Sequence, residues 1–246
     1  MIIDLNCDMG ESFGNYKLGD DAAVMPFISS VNIACGLHAG DPLVMQTTIR
    51  LAKEYGVAIG AHPGWPDLQG FGRRDMNLTP DEAEVFVLYQ IGALAAFAKA
   101  EGVELRHVKP HGALYNQAAR DRILADAIAR AVKRFDKNLI LVGLAGSELI
   151  AAGLGIGLRV ANEGFPDRRY NPDGILVSRN NSNAILESPI EVAAHAVALA
   201  QMGIDFAGRH VQVETLCLHG DNIQAAQNAR LVGEALLKNG IEIKAM

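Results

Sequence analysis

The chain of 246 residues is acidic, because 22 Lys and Arg stand against 28 Asp and Glu and give a formal net charge of −6. Such a balance lacks the basic surface typical of proteins that bind nucleic acid or anionic membranes, so we expect neither partner. Half of the residues are apolar and 20% are charged, which excludes a disordered or coiled-coil chain. The length suits one core, and we take residues 1–246 as a single domain.

The start of the chain and its cysteines indicate a reducing compartment. Met1-Ile2-Ile3-Asp4 has no basic flank of a signal peptide, and no apolar run reaches the roughly 18 residues of a membrane span. The three cysteines form no Cys-x-x-Cys pair, so we expect neither a disulfide framework nor a thiolate zinc site. Cys7 and Cys217 could be nucleophiles, although buried cysteines are commonly inert. We expect a cytoplasmic protein.

Short apolar runs alternate with longer segments of helical period along the whole chain. This alternation predicts repeated βα units around a parallel sheet. The predicted strands, about eight in number, cover residues 2–6, 30–34, 57–62, 105–109, 139–143, 157–161, 212–218 and a less marked run, 241–244. Eight is the strand number of a closed α/β barrel, although a doubly wound open sheet shares the alternation.

Two helix starts are marked by their chemistry. Thr79-Pro80-Asp81-Glu82 and Ser188-Pro189-Ile190-Glu191 each offer a capping hydroxyl, a proline at the first helical position and a glutamate at the third. Behind the first start, apolar residues recur at helical spacing and are predicted to pack on the sheet. These residues are Val85, Leu88, Tyr89, Gly92 and Ala96.

Polar side chains cluster directly after most of the predicted strands. In an α/β barrel the carboxyl ends of the strands meet at one rim, where active sites lie, whereas an open sheet would spread them along a line. We therefore favour the barrel. The clustered residues are Asn6, Cys7, Asp8, Glu11, Cys35, His38, Asp41, His62, Asp67, Lys109, His111, Asn162, Glu163, Cys217, His219 and Asp221.

Four of the seven histidines, His38, His62, His111 and His219, follow predicted strands. Histidines and carboxylates around one cavity suit either a divalent ion or acid–base chemistry near neutral pH. The chain has no His-Glu-x-x-His helix, so metal ligands would come from separate strand ends. The candidate ligands are Asp8, His38, His62 and His111. The other three histidines, His107, His195 and His210, are assigned no role.

Some of these residues have an equally plain structural interpretation. Asp41 and Asp221 stand where helices begin, so each could be an N-cap as readily as a site residue. Lys109, at the inner end of a strand, needs an anionic partner. That partner is either a carboxylate substrate or an ion pair with Asp8 or Glu163.

The predicted rim loops carry several arginines that could hold an acidic small molecule or a phosphate, although solvated loop arginines are the commoner outcome. They are Arg73, Arg74, Arg168, Arg169 and Arg179. The chain contains no Gly-x-x-x-x-Gly-Lys-Ser/Thr loop, and the glycine run at residues 153–158 lacks the last glycine of a dinucleotide fingerprint. A conventional nucleotide site is therefore not indicated.

Several long strings in the same order along the whole chain resemble the LamB/YcsF family, which supplies the A subunit of prokaryotic 5-oxoprolinase. The strings lie at residues 5–11 (LNCDMGE), 32–41 (NIACGLHAGD), 60–64 (GAHPG), 70–74 (GFGRR), 108–116 (VKPHGALYN), 163–170 (EGFPDRRY) and 217–221 (CLHGD). One stretch departs from the family pattern, because Ser178-Arg179 and Ser182-Asn183 stand where a Pro-Arg pair and a later Pro-Gly are expected.

The resemblance implies a barrel of seven or eight parallel strands, similar to glycoside hydrolase and sugar deacetylase barrels. It also implies ATP-dependent opening of 5-oxo-L-proline to L-glutamate, with Mg²⁺ accompanying ATP, in a complex with subunits B and C. An unstrained lactam is a poor electrophile, and phosphorylating its amide oxygen would turn that oxygen into a leaving group. The missing phosphate loop then points to an unorthodox nucleotide site or to one shared with the partner subunits.

We expect the site to divide into catalytic and binding residues. The catalytic candidates are Asp8, Glu11, Lys109, His111 and Glu163, with Glu11 or Glu163 moving protons. The substrate-binding candidates are Asn6, His38, Asp41, His62, Arg73, Arg74, His219 and Asp221. Two alternatives are a metal-dependent amidohydrolase or deacetylase acting alone, and a substrate-binding subunit without catalytic residues.

Overall fold

The strands of the computed structural model, which describes residues 1–178, 181–220 and 224–246, form a parallel barrel and one small hairpin. Their bounds are β1 (Ile2–Met9), β2 (Ser30–Ala34), β3 (Ala58–His62), β4 (Leu105–Val108), β5 (Ile140–Leu144), β6 (Arg159–Gly164), β7 (Ile204–Phe206), β8 (Arg209–Val211), β9 (Thr215–His219) and β10 (Glu242–Ile243). In the described residues seven parallel strands follow one another from β1 to β6 and then β9. Because β9 pairs directly with β1, from Asp4 opposite Thr215 to Asp8 opposite His219, the sheet closes. The predicted barrel is confirmed.

The predicted eighth strand exists but is not part of the closed ring. β10 pairs only with the first residues of β1, Ile2 and Ile3, beside the amino end of the barrel. The antiparallel pair β7 and β8 was not predicted. Each of its strands has three residues, which is too short to show a period of two.

The helices lie between the strands and surround the barrel. Their bounds are α1 (Asp21–Val24), α2 (Pro42–Tyr55), α3 (Pro80–Ala100), α4 (Gly112–Ala118), α5 (Arg122–Phe135), α6 (Glu148–Gly155), α7 (Pro189–Met202) and α8 (Ala225–Lys238). Both predicted starts are confirmed. Thr79 and Glu82 form a reciprocal capping box at α3, and Ser188 Oγ accepts from the backbone N–H of Glu191 at α7.

The predicted inward face of α3 is confirmed at Leu88, which is partly buried and packs against the main core, but it is wrong at Val85, Tyr89 and Ala96. Val85 and Tyr89 are 60% and 63% exposed, and Ala96 is exposed as well. The stripe that is fully buried is offset from the predicted one by two positions and consists of Ala83, Val87, Ile91, Leu94 and Ala98. The helix is apolar around most of its circumference, so two stripes with the same spacing were available and the spacing alone could not choose between them.

By length and composition α3 could also cross a membrane. Its buried stripe belongs to the main core, and the helix packs against α5 and α2. At its start, Glu84 forms ion pairs with Arg130 and Arg134 of α5. These contacts make α3 a partly buried wall helix of a soluble barrel.

The inside of the barrel is polar, and this places the site. Side chains alternate along a strand, so Asp4, Asn6 and Asp8 of β1 point to one side, while Leu5 and Cys7 point to the other. The second set joins the apolar core between sheet and helices. Asp4, at the lower end, accepts hydrogen bonds from Ser30 and Thr215. A column of hydrogen-bonded polar residues therefore extends through the barrel to its carboxyl end.

Candidate active site

A cavity of about 930 Å³ opens at the carboxyl ends of the strands, where the sequence predicted the site. Of the expected residues, it is lined by Asp8, Glu11, His62, Arg73, Arg74, Lys109, His111 and His219. Asn6, His38, Asp41 and Glu163 do not line it. Asp221, like Arg179, lies outside the described residues.

Lys109 is the centre of one half of the site, and it is 2% exposed. Its Nζ lies 2.9 Å from Asp8 Oδ1 and 2.9 Å from Glu163 Oε1. It also donates to Asn6 Oδ1 at 3.3 Å and lies 2.8 Å from the Cys217 sulfur. Both ion pairs that the sequence offered as alternatives are confirmed. We call Lys109, Asp8, Glu163 and Asn6 the lysine network.

The charges in this network support one another. Burial alone would lower the pKa of Lys109, but the carboxylates of Asp8 and Glu163 raise it well above its usual value. Burial alone would raise the pKa of Asp8, yet His62 and Lys109 hold it well below its usual value. Burial and the Asp8 charge raise the pKa of the Cys217 thiol, which is therefore protonated and not an activated nucleophile.

A second layer of hydrogen bonds fixes the carboxylates. Asn32 Nδ2 donates to Asn6 Oδ1 at 2.6 Å and to Asp8 Oδ1 at 2.8 Å. Asn6 Nδ2 and the Tyr115 hydroxyl donate to the two oxygens of Glu163, at 3.0 and 2.7 Å. Glu163 is fully buried, so it holds Lys109 and Asn6 in place below the cavity.

His107, to which the sequence assigned no role, orients Asn32. Its Nε2 donates to Asn32 Oδ1 at 2.7 Å. The ring fits because position 60 is glycine, where a Cβ would lie 2.1 Å from His107 Nε2. Burial, followed by the Lys109 charge, lowers the pKa of His107 to about 3, so the ring is neutral.

The other half of the site is built from histidines. His62 Nδ1 lies 2.7 Å from the Lys109 carbonyl oxygen, and His111 Nε2 lies 2.8 Å from the Phe71 carbonyl oxygen. The remaining nitrogens of the two rings, His62 Nε2 and His111 Nδ1, face each other at 3.0 Å. His38 stacks on His111 with 3.8 Å between ring centroids.

Glu11 completes this group. Its Oε1 lies 3.8 Å from His111 Nδ1 and 4.0 Å from His38 Nε2. His38 is fully buried, and neither of its ring nitrogens has a hydrogen-bond partner. Burial, more than neighbouring charge, lowers the pKa of His38 and of His111 well below the usual value, so both rings are neutral. We call Glu11, His38, His62 and His111 the histidine cluster.

His219 lies on a different wall of the cavity. Its Nδ1 is 2.6 Å from Asp167 Oδ2, and its ring stacks on Phe165. Phe165 also meets the edge of Tyr115, and Lys109 Nζ lies 5.3 Å from its ring centroid. This wall gives the cavity an aromatic side next to the lysine network.

Arg73 and Arg74 differ in their partners. Arg74 is bound to the buried Asp67 through two guanidinium nitrogens, whereas the Arg73 guanidinium lies 4.8 Å from the Phe71 ring centroid. Both side chains line the mouth of the cavity.

Asp41 is the N-cap of α2, one of the two roles that the sequence allowed. Its Oδ1 accepts from the backbone N–H groups of Leu43 and Val44, at 2.9 and 3.0 Å. Its Oδ2 accepts from Gly14 N at 2.7 Å. These bonds tie the loop after β1 to the start of α2, away from the cavity.

The sequence profile of the LamB/YcsF family matches residues 3–246. The chain belongs to the LamB/YcsF family. It is 55% identical to the A subunit of 5-oxoprolinase from Tolumonas auensis, over 99% of each chain. It is 51% identical to the A subunit of 5-oxoprolinase from Pyrococcus furiosus, over 100% of this chain and 98% of the relative. The predicted family is confirmed.

Solved structures agree on the fold. The lactam utilization protein from Thermus thermophilus matches with a TM-score of 0.92 and 47% identity, over all of both chains. The T48 deacetylase, solved with its substrate, matches with a TM-score of 0.50 and 13% identity, over 98% of this chain and 86% of that one. The second likeness shows the barrel alone, and it confirms the predicted similarity to deacetylase barrels.

Proposed function

We propose that this chain is the A subunit of a 5-oxoprolinase, which opens 5-oxo-L-proline to L-glutamate at the expense of ATP. Relatives that carry this name match it over their full length at 51% and 55% identity. The observation that carries the proposal for the site is the buried ion pair of Lys109 and Asp8, which reaches the floor of the cavity.

The charges around the cavity suit an anionic substrate. Its described lining includes five cationic residues, Arg73, Arg74, Lys109, Arg120 and Arg168. Lys109 and Arg74 are ion-paired with Glu163 and Asp67. The guanidinium groups at the cavity match the carboxylate of 5-oxoproline and the phosphate that activates its ring oxygen, because guanidinium binds both anions with paired hydrogen bonds.

The reaction balances if ATP first phosphorylates the lactam oxygen and ADP leaves. Water then adds to the ring carbon, the carbon–nitrogen bond breaks, and the nitrogen takes a proton. This leaves an acyl phosphate of glutamate. A second water hydrolyses the acyl phosphate to glutamate and inorganic phosphate, so two waters are consumed for each ATP.

In this scheme the two halves of the site have different tasks. Lys109 offers its ammonium group to the oxygen on which negative charge develops, which is the kind of fixed electrostatic contact that lowers a barrier most. Asp8 stays ionised and orients the ammonium together with Glu163. Glu11, which lines the cavity, takes the proton of the attacking water when no metal is bound to it.

ATP, with Mg²⁺, and subunits B and C complete this proposal. The sequence of this chain contains no phosphate loop, so activation of the lactam depends on an unorthodox nucleotide site or on one shared with subunits B and C. The supply of ATP places the complex in the cytoplasm.

The test is glutamate release from 5-oxo-L-proline by the purified chain, with and without ATP and with and without subunits B and C. We expect glutamate only when ATP and both partners are present. No glutamate in the complete mixture, with every subunit verified as folded, would overturn the proposal. Activity of the chain alone that needs no ATP and is lost to a chelator would indicate a metal-dependent amidohydrolase instead.

A further inference from the structure

We propose that the histidine cluster, Glu11, His38, His62 and His111, is a binding site for one divalent transition-metal ion of the zinc class. The four residues each present one ligand atom, and these atoms lie within 4.8 Å of one another in a buried part of the rim. The inference concerns metal binding by this chain and does not depend on the lactam reaction.

The hydrogen bonds of two rings fix where their protons are. A carbonyl oxygen only accepts, so His62 Nδ1, facing the Lys109 carbonyl, and His111 Nε2, facing the Phe71 carbonyl, must each carry hydrogen. The nitrogens left for a ligand, His62 Nε2 and His111 Nδ1, face each other at 3.0 Å, and each presents a lone pair whenever its ring is neutral. A positive charge between or beside two such lone pairs holds them together.

An additional proton on His62 would relieve that pair, and Asp8 Oδ2 lies 3.4 Å from the same nitrogen. A proton does nothing, however, for His38, whose two nitrogens are buried without a partner. Leaving a buried polar group unpaired destabilises the fold, because the group loses its hydrogen bonds to water and gains none in return. A metal ion bound by His38, His62 and His111 gives a partner to one nitrogen of each ring, and the Glu11 carboxylate offsets its charge.

The distances suit a small ion. In a tetrahedral site with bonds of about 2.0–2.1 Å, the ligand atoms lie roughly 3.3 Å apart. The facing nitrogens of His62 and His111 are 3.0 Å apart, and Glu11 Oε1 is 3.8 Å from His111 Nδ1 and 4.0 Å from His38 Nε2. These three separations bracket the distance that a tetrahedral site requires.

The surroundings are those of a metal site. Histidine ligands nearly always donate their second N–H to a carbonyl or carboxylate, as His62 and His111 do here. The backbone closes tightly on His38, because a Cβ at Gly64 would lie 2.5 Å from its Nδ1 and one at Gly72 would lie 2.7 Å from its Cβ.

The donor set also selects the ion and the ligands. Three imidazoles and one carboxylate favour Zn²⁺, Co²⁺, Ni²⁺ or Fe²⁺ over Mg²⁺ and Ca²⁺, which prefer oxygen. Asp8, a ligand candidate from the sequence, is not among the four residues whose ligand atoms lie within 4.8 Å of one another. Glu11 takes its place.

The experiment is metal binding by the full chain, without substrate or ATP. The protein is stripped with a chelator, loaded with Co²⁺ or Zn²⁺, freed of excess metal by gel filtration and analysed by mass spectrometry. We expect one ion per chain and, for Co²⁺, a visible absorption band of a tetrahedral complex that Zn²⁺ abolishes. Glu11→Gln and His38→Ala should each weaken binding at least about tenfold, since changes even outside the ligand shell cost that much.

His210→Ala is the matched control, because His210 lies exposed on the hairpin of β7 and β8 and should leave binding unchanged. Circular dichroism verifies the fold of each variant. The inference is overturned if folded wild-type protein retains far less than one ion per chain, or if Glu11→Gln, the variant that keeps the side-chain shape, binds as tightly as wild type. Glutamate release is not a readout here, so failure of this inference leaves the proposed function standing, and the reverse holds too.

Discussion

The lysine network and the histidine cluster lie on the same rim but differ in how completely their buried polar atoms are hydrogen-bonded. In the lysine network, Lys109, Asp8, Asn6 and Glu163 have no buried polar atom without a partner. In the histidine cluster, both ring nitrogens of His38 are buried without a hydrogen-bond partner. A completed network holds charges in place before a substrate arrives, whereas an incomplete one is built around a ligand.

Removing the positive charge of Lys109, at the centre of the lysine network, should have the largest effect. Lys109→Met leaves Asp8 and Glu163 buried without their cation, which costs about 3–5 kcal/mol of unfolding free energy. Loss of a fixed electrostatic donor lowers turnover by about 10²–10³-fold. Urea unfolding and the glutamate assay of the reconstituted complex measure the two effects.

The control for this change is Lys137→Met, at an exposed lysine, which should alter neither quantity. The double variant Lys109→Met with Glu163→Gln should regain part of the stability, because it removes one uncompensated charge, but none of the turnover. A stable and active Lys109→Met variant would show that the lysine network is dispensable.

A single hydrogen bond of the same network comes next. Tyr115→Phe removes the hydroxyl that donates to the fully buried Glu163 Oε2 and should cost about 1–3 kcal/mol. For a chain of this size that lowers the melting temperature by roughly 2–4 °C per kcal/mol. Tyr89→Phe, at a side chain that is 63% exposed, is the control for calorimetry. Equal melting temperatures of the two variants would contradict the network as described.

The neutral His107 predicts how stability depends on pH. Its pKa is about 3 in the fold, against about 6.5 in the unfolded chain, so the unfolded state binds the extra proton. The stabilisation is complete above pH 6.5 and is lost as the pH falls towards 3, at about 1.4 kcal/mol per unit. Urea unfolding at pH 7, 6 and 5 measures the free energy of unfolding at each pH. Its change per pH unit should be smaller for His107→Gln than for wild type by about that amount. An unchanged slope would mean that His107 is already protonated in the fold.

The smallest effect is expected for a residue outside the lysine network and the histidine cluster. Asp41→Ala removes the N-cap of α2 and should cost about 1 kcal/mol without changing turnover of the reconstituted complex. Asp41→Asn keeps a capping oxygen and should stay close to wild type in a thermal melt. A large loss of turnover in either variant would show that Asp41 is a residue of the active site.

The sequence located the rim because the rule that connects strand ends to active sites is local to each strand. Asp8, His62, Lys109 and His111 all followed from it, and all line the cavity. Which of them touch could not be read from the chain, since Asn32 and Tyr115 reach Asp8 and Glu163 only once the barrel closes.

The sequence predictions that failed did so for the same reason, because they depended on tertiary contacts. His107 was passed over because it precedes the strand end, and its partner Asn32 lies on another strand. The face of α3 was chosen wrongly because the helix is apolar around most of its circumference, and only its packing against α5, α2 and the sheet decides which stripe is buried. Periodicity fixes the elements of this fold, and closure of the barrel fixes their partners.

Asp8→Asn tests most directly that this cavity opens the lactam. The substitution keeps the shape of the side chain and the Lys109–Glu163 ion pair but removes the charge at the floor of the cavity. With wild-type subunits B and C and ATP, we predict that glutamate release falls by about 10²-fold or more while the variant remains folded by circular dichroism. Wild-type turnover by the folded variant would contradict the account.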